Sequence, residues 1–297
     1  LDVLLEALTH LTTSFPGFVG RADAEKRPDP VPELMALILD GERRGSINFD
    51  LRALLNSAYA VRDRLSTDTW RVINGIRGRL DELETKSANH LSAIQDDLDE
   101  LVITLVALSG LTQESMMRGQ SWLFLELGRR IERALLLITL VRVTLGKARE
   151  PEVEMQLLSA MLRSTESLMS YRRGYGDAVL IEPVIGLLLT DAANPRSLAY
   201  QLLQLEQRAA ELPRDDERSS LGEVQRLMLD ANSALRLVRF EQLTRIDEKT
   251  RERPELESLL RHVTQRLLEA SNVMTRDYFT DVRGPQQLAP SYAESAR

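Results

Sequence analysis

Four charged residues on one expected helix carry the strongest case for chemistry in this chain. When residues 113 to 146 are placed on a helical wheel, Glu114, Arg118, Arg129 and Glu132 fall within about 60° of one another. Leu111, Leu125 and Leu136 share that face, and Met117, Phe124, Leu127, Ile131 and Leu135 occupy the opposite one. A helix apolar all round belongs in the interior, and an ion buried there without a partner is very costly. The charges therefore either close on each other, Glu114 with Arg118 and Arg129 with Glu132, or face a bound ligand. The guanidinium fork of arginine suits a carboxylate or a phosphate, and Glu132 would then serve as acid or base. A cavity beside the cluster separates a site from closed internal pairs.

The helix expected over residues 49 to 65 offers a second case. Leu51, Leu54, Leu55, Ala58, Val61 and Leu65 define its apolar face with Arg62 among them, while Arg52, Asn56, Tyr59 and Asp63 form a polar stripe. Other chemistries lack their parts. His10, His90 and His262 are lone histidines without helical metal spacing, and Asp96, Asp97, Asp99 and Glu100 lack the glycine turn of a calcium loop. Gly174 and Gly176 give a Gly-x-Gly without a third glycine or a preceding strand, so no phosphate loop is read. With no cysteine, no Gly-x-Ser-x-Gly elbow and no lysine in an apolar stretch, no covalent nucleophile is visible. No metal and no cofactor are expected for this chain.

The 297 residues carry a formal charge of -7, so no global positive field draws nucleic acid or an anionic membrane. Of 38 cationic residues only Lys26, Lys86, Lys147 and Lys249 are lysines, a bias that usage in a GC-rich genome also produces. No apolar run is long enough to span a bilayer and no basic start leads into one, so the chain reads as soluble and cytoplasmic.

Apolar residues recur at three and four throughout, which predicts an all-α fold: a single multi-helix bundle over residues 1–283 with one long central helix at 113–146. Residues 284–297 hold Pro285 and Pro290 without a core pattern and read as a flexible tail. Other helices are expected at 1–13, 32–39, 66–84, 88–109, 178–189, 220–245 and 254–279, with a Pro-rich loop from Arg21 to Pro32; the break before the central helix is placed near Gly110, and Gly119 and Gly128 are weak points for an end or a kink. Ser46 or Asn48 caps the 49–65 helix and Ser66 the next. Pro151 opens a helix to Tyr171, and Asn194-Pro195 caps another reaching Leu212, with Leu198, Leu202, Leu205 and Ala209 inward.

Four segments carry a resemblance. The strongest is Met117-Arg-Gly-Gln-Ser-Trp-Leu-Phe-Leu-Glu-Leu-Gly-Arg-Arg-Ile-Glu-Arg-Ala134; the others are Val61 to Arg71, Glu166 to Tyr175, and Asp191 to Leu202. In that order they resemble the alpha-E family of bacterial helical domains, and the closing Asp277-Tyr278-Phe279 is similar to its ending. The resemblance implies an all-helical domain, alone or fused behind a circularly permuted ATP-grasp ligase, beside transglutaminase-like and peptidase genes. It implies peptide or amide-bond formation, with ATP and Mg belonging to a fused or partner ligase. The motif-matched positions are Arg62, Arg64, Asp68, Arg71, Arg118, Arg129, Glu132, Arg133, Tyr171, Arg172, Asn194 and Arg196. Of these, Glu132 stands as catalytic candidate, and Arg62, Arg64, Arg71, Arg118, Arg129, Arg133, Tyr171, Arg172 and Arg196 as substrate-binding candidates.

The function expected on this basis is a helical accessory domain that docks on the ligase and presents or shapes a substrate; the alternative is an enzyme acting through its Arg/Glu cluster. The chain departs from the family in two positions, with Ser121 for a glycine and Glu166 for an aspartate. It also lacks an earlier helix bearing a Leu-Gly-Arg-x-x-Glu-Arg-Ala-Glu pattern. Starting at Leu1, it is expected to be the C-terminal part of a fusion, with an apolar groove left open for self-association or a neighbouring domain.

Overall fold

A computed structural model describes residues 1–19, 29–85, 92–214 and 220–279. These residues form thirteen α-helices and no strand, with one isolated bridge between Lys147 and Glu252, so the fold is all-α as expected. Most of the Arg21–Pro32 loop, most of the Pro213–Ser219 loop and the 284–297 tail lie outside the described residues.

Helix α1 (Asp2–Thr12) ends at Thr13 in the left-handed conformation, and the Thr9 hydroxyl accepts from the Phe18 amide at 2.8 Å. Its C-terminal end abuts the turn that follows α2 (Val31–Leu39). There Gly45 adopts a φ of +82°, and a Cβ would lie 2.0 Å from the Thr12 carbonyl oxygen, so only glycine fits. Helices α3 (Ile47–Ala60), α4 (Thr67–Thr85) and α5 (Ser92–Glu114) then make an arm with its own apolar centre of Leu51, Leu55, Ile73, Ile76, Leu80 and Leu101. Ser46 caps α3 by accepting from the Phe49 amide, and Ser66 caps α4 by accepting from the Thr69 amide.

The larger core is built on α6 (Gln120–Leu145), which packs against α1 on one side and against α10 (Leu198–Ala209) and α13 (Pro254–Met274) on the other. Between them run α7 (Pro151–Ser164), α8 (Leu168–Tyr175) and α9 (Ile181–Ile185), which passes into a π-turn at Gly186–Thr190. Helices α11 (Glu223–Leu237) and α12 (Phe240–Leu243) lead to α13, which closes on a second π-turn at Thr275–Phe279. The inward stripe of α10 is as read: Leu198, Leu202, Leu205 and Ala209 are buried, each leucine contributing about 1.5–3 kcal/mol.

One junction ties three helices. Arg253, 1% exposed, donates to the Leu145 carbonyl at 2.7 Å and to Glu154 at 2.6 Å, while its amide donates to the Gly146 carbonyl. The carbonyls left open at the end of α6 thus find donors at the start of α13, and a carboxylate of α7 balances the charge.

Several boundaries differ from expectation. The central helix starts at Gln120, not 113, because the break falls at Ser115–Gly119 and α5 runs unbroken through Gly110. Gly110 has open space around it and is tolerated in a helix interior at modest cost, whereas Gly119 takes the extended N-cap conformation. The helix opened by Pro151 stops at Ser164 and restarts at Leu168. Asn194 does not cap α10. Its Oδ1 accepts from the Arg196 amide in a local turn, and Ser197 takes the cap by accepting from the Tyr200 amide at 3.0 Å. Helix α3 ends at Ala60, so Arg62 sits in a 3₁₀ turn.

Candidate functional site

A buried carboxylate, Glu126, organises the charged part of α6. It is 4% exposed and accepts from Gln113 of α5, from Arg129 and, at 3.2 Å, from Arg130. The spacing explains the convergence, because residues three and four further along a helix lie over the same side chain. Arg129 also donates to the Ser109 hydroxyl at 2.7 Å, so α5 and α6 are joined by polar bonds on both sides of Glu126. Arg130 reaches the other way, donating to Gln201 at 3.2 Å and stacking 5.2 Å from the Tyr200 ring centroid. The expected closed pairs are therefore corrected. Arg129 pairs with Glu126 and not with Glu132, which is exposed. Glu114 and Arg118 lie off the helix on which the wheel placed them.

One turn beyond Arg129 and Arg130, Arg133 is half-buried and forms no hydrogen bond or ion pair among the described residues. Burial, then the charges of Arg129, Arg196 and Arg130, pull its guanidinium below the usual arginine range, against a weaker opposing pull from Glu126. Burial does the same to Arg129, with Glu126 opposing it. The region around Arg133 thus holds more positive charge than its own carboxylates neutralise.

Arg196 is carried by a tightly bonded loop. Asn194 donates to the Leu187 carbonyl at 2.9 Å, Ser197 to the Asp191 carbonyl at 2.6 Å and Gln201 to the Pro195 carbonyl at 2.6 Å. At the rim Arg196 pairs with the largely exposed Glu166 at 2.6 Å. Arg133, Arg196 and Gln201 line a cleft of about 480 Å³ whose other walls are Leu4, Ala7, Leu8 and Leu11 of α1, and Leu136, Leu137 and Leu140 of α6. Ala160, Ser164 and Thr165 complete it, and both hydroxyls are bonded to the Met161 carbonyl. Its polar lining consists of Arg133, Arg196, Gln201, Ser164 and Thr165, and the two arginines equip it to hold an anion.

Of the residues predicted as a site, Arg133 and Arg196 line the cleft, and Arg129 lies one turn back on α6, near enough for its charge to act on Arg133. The rest lie elsewhere. Arg62 and Arg64 are exposed in the turn after α3, and Arg71 pairs with Asp68 at 2.8 Å on the surface of α4. Arg118 donates to the Gln113 carbonyl and stacks 4.4 Å from the Trp122 ring. Tyr171 is fully buried. Its hydroxyl donates to the Ala178 carbonyl and accepts from the Leu180 amide, a role in holding the chain after α8. Arg172 faces Asp177 at 3.5 Å. Sequence reasoning missed Glu126, Arg130 and Gln201. Glu126 was findable from its placement three and four residues before two arginines; Gln201 carried no such signal. Among the described residues no three of His, Asp or Glu gather where a metal ion could sit, and no helix is long and apolar enough to cross a membrane.

Comparison with known proteins places these residues in context. A family model described as a predicted alpha-helical domain with a conserved ER motif matches residues 1–279. Uncharacterized protein Rv2567 of Mycobacterium tuberculosis is 32% identical over 97% of this chain, and uncharacterized protein Mb2597 of Mycobacterium bovis is equally similar. The chain spans about a third of the length of these curated relatives, 33% in each case. No solved structure matches. Of the four Glu-Arg dipeptides in the sequence, Glu132-Arg133 lies at the cleft, with the arginine turned in and the glutamate out.

Proposed function

The chain belongs to the Alpha-E family, and from that premise we propose that it is a helical accessory domain of an ATP-grasp type system that forms peptide or amide bonds. In this reading it docks on the ligase and presents a carboxylate-bearing substrate, while ATP and Mg are bound by the ligase. The observation that carries the reading is the charge imbalance at the cleft. Arg133 and Arg196 line the cleft and Arg129 and Arg130 lie near enough for their charges to act on Arg133, while the carboxylates paired with this group among the described residues are Glu126 and the exposed Glu166. A fixed cationic cleft suits holding a carboxylate. The length of the relatives agrees, because about two thirds of each lies beyond the matched segment and leaves room for a catalytic domain.

The test is a ligase assay. An ATP-grasp ligase encoded with this chain is assayed for ADP release with its carboxylate substrate, with and without the helical domain, and complex formation is followed by sedimentation. The domain is expected to form a complex and to lower KM for that substrate. Arg133→Met in the domain should restore the higher KM without breaking the complex. Absence of a complex together with an unchanged KM would overturn the reading. A second reading, catalysis by this chain through Glu132, finds no support in the geometry, since that carboxylate faces solvent.

A further inference from the structure

The cleft beside Arg133 is amphiphilic, and its two halves have different occupants in view. One end presents the Arg133 fork and Arg196, with Gln201 fixing the Arg196 loop. The remainder is apolar: Leu4 and Leu8 of α1 face Leu136 and Leu140 of α6, and Leu136 is 45% exposed. A volume of about 480 Å³ is in the range of sites for small organic ligands.

We propose that this cleft binds a monocarboxylate on a compact apolar body, with the carboxylate on Arg133 and Arg196 and the apolar part along Leu4, Leu8, Leu136 and Leu140. The proposal deepens the accessory-domain reading by naming the ligand class, and it rests on that reading for its place in the reaction.

The chemistry selects a carboxylate over a phosphate. Of the two arginines that line the cleft, Arg133 has no ion-pair partner among the described residues and Arg196 is shared with Glu166, which leaves about one positive charge for a ligand. A phosphate dianion carries more charge than that and has more acceptor sites to satisfy, and the C-terminal end of α7 at Ser164 adds no helix N-terminus to supply the missing donors. A planar carboxylate takes two parallel hydrogen bonds from one guanidinium, which Arg133 alone can supply. A bound carboxylate also offsets the charges of Arg129, Arg196 and Arg130, which after burial itself pull the Arg133 guanidinium down. The apolar wall gives the ligand's body a reason to enter, since Leu136 is otherwise left to water.

Calorimetry on the purified chain tests this with N-acetyl-L-leucine, N-acetylglycine, N-acetyl-L-leucinamide and octanoate. N-acetyl-L-leucine should bind, with the amide and the glycine analogue each about tenfold weaker or more. Arg133→Met should weaken binding about tenfold or more while circular dichroism stays unchanged, and Arg133→Lys should fall between because it keeps charge without the fork. Leu136→Gln, on a partly exposed side chain, should weaken N-acetyl-L-leucine more than N-acetylglycine. Tighter binding of N-acetyl-L-leucine than octanoate identifies a peptide C-terminus as the source of the carboxylate, and the reverse identifies an acyl chain. Equal affinity for acid and amide, wild-type affinity in Arg133→Met, or no binding of either N-acetyl-L-leucine or octanoate overturns the proposal. These measurements need the chain alone, so they fail or succeed independently of complex formation with a ligase.

Discussion

Replacing Glu126 by glutamine should be among the most damaging single changes on α6. The carboxylate accepts from Gln113, Arg129 and Arg130, and it is the buried counter-charge for both arginines. Glutamine keeps the shape but loses the charge, and it turns an amide donor toward a guanidinium. Breaking a buried ion pair from one side costs about 3–5 kcal/mol. Arg129 and Arg130 retain 20% and 11% exposure, so water recovers part of that, and the lower end, about 3 kcal/mol, is expected. In urea unfolding, Glu126→Gln should lower the midpoint without changing the slope. A double-mutant cycle with Arg129→Met should give coupling of about 1.5 kcal/mol or more, because removing Arg129 removes much of the stranded charge. The parallel cycle of Arg129→Met with Glu132→Gln should give less than about 0.5 kcal/mol. A loss below about 1 kcal/mol for Glu126→Gln, or larger coupling to Glu132 than to Glu126, would refute the assignment of Glu126 as the hub.

Three further outcomes are expected. The Arg142 fork, donating at 2.9 and 2.6 Å, holds the Glu257 carboxyl below its ordinary value of 4.5, with Arg261 adding at 3.1 Å. A depressed folded pKa gives stability that is present above the unfolded value and lost as pH falls through the folded one. Glu257→Gln should therefore cost about 1 kcal/mol at neutral pH, and the two proteins should converge in urea stability as the pH drops below 4.5. Tyr171→Phe removes the acceptor of the part-buried Leu180 amide and the donor to the Ala178 carbonyl, and should cost about 1 kcal/mol in the same assay while N-acetyl-L-leucine affinity stays at wild type; a loss of affinity with unchanged stability would return Tyr171 to the binding site. Arg253→Met should cost about 3–5 kcal/mol by thermal or urea unfolding, because it leaves Glu154 unpaired and the end of α6 uncapped; a neutral result would sink that role.

The helical periodicity and the terminal signals were sufficient for the bundle. The α10 stripe, the Ser46 and Ser66 caps and the Pro151 start were readable because each is a local rule. Where two breakers competed, local rules could not choose. Gly110 and Gly119 are equal as residues and both have open space around them, so neither residue type nor local crowding distinguishes the one that stays helical from the one that takes the cap. That error put Glu114 and Arg118 on the wheel of a helix to which neither belongs. Asn194-Pro195 misled in a related way, since its side chain satisfies a turn that the next serine then caps. The site was half legible. Arg133 and Arg196 were named from motifs, but their meeting depends on α10 folding back 63 residues after Arg133 to bring Arg196 beside it. The α1 wall of the cleft was read only as the first apolar stripe of a bundle.

That wall has a kinetic consequence. The larger apolar core contains residues of α6, α7, α10, α11 and α13 but none of α1, whose leucines meet α6 across the cleft instead. Detaching α1 therefore uncovers Leu136, Leu137 and Leu140 but leaves the contacts of α6 with α10 and α13 in place, so the free energy of that excursion is smaller than that of global unfolding. Amide hydrogens of α1 should exchange faster than those of α6, and an occupant bridging the two helices should slow α1 exchange selectively. The proposed occupant would thus rest on a wall whose stability is that of a single eleven-residue helix and not that of the whole bundle.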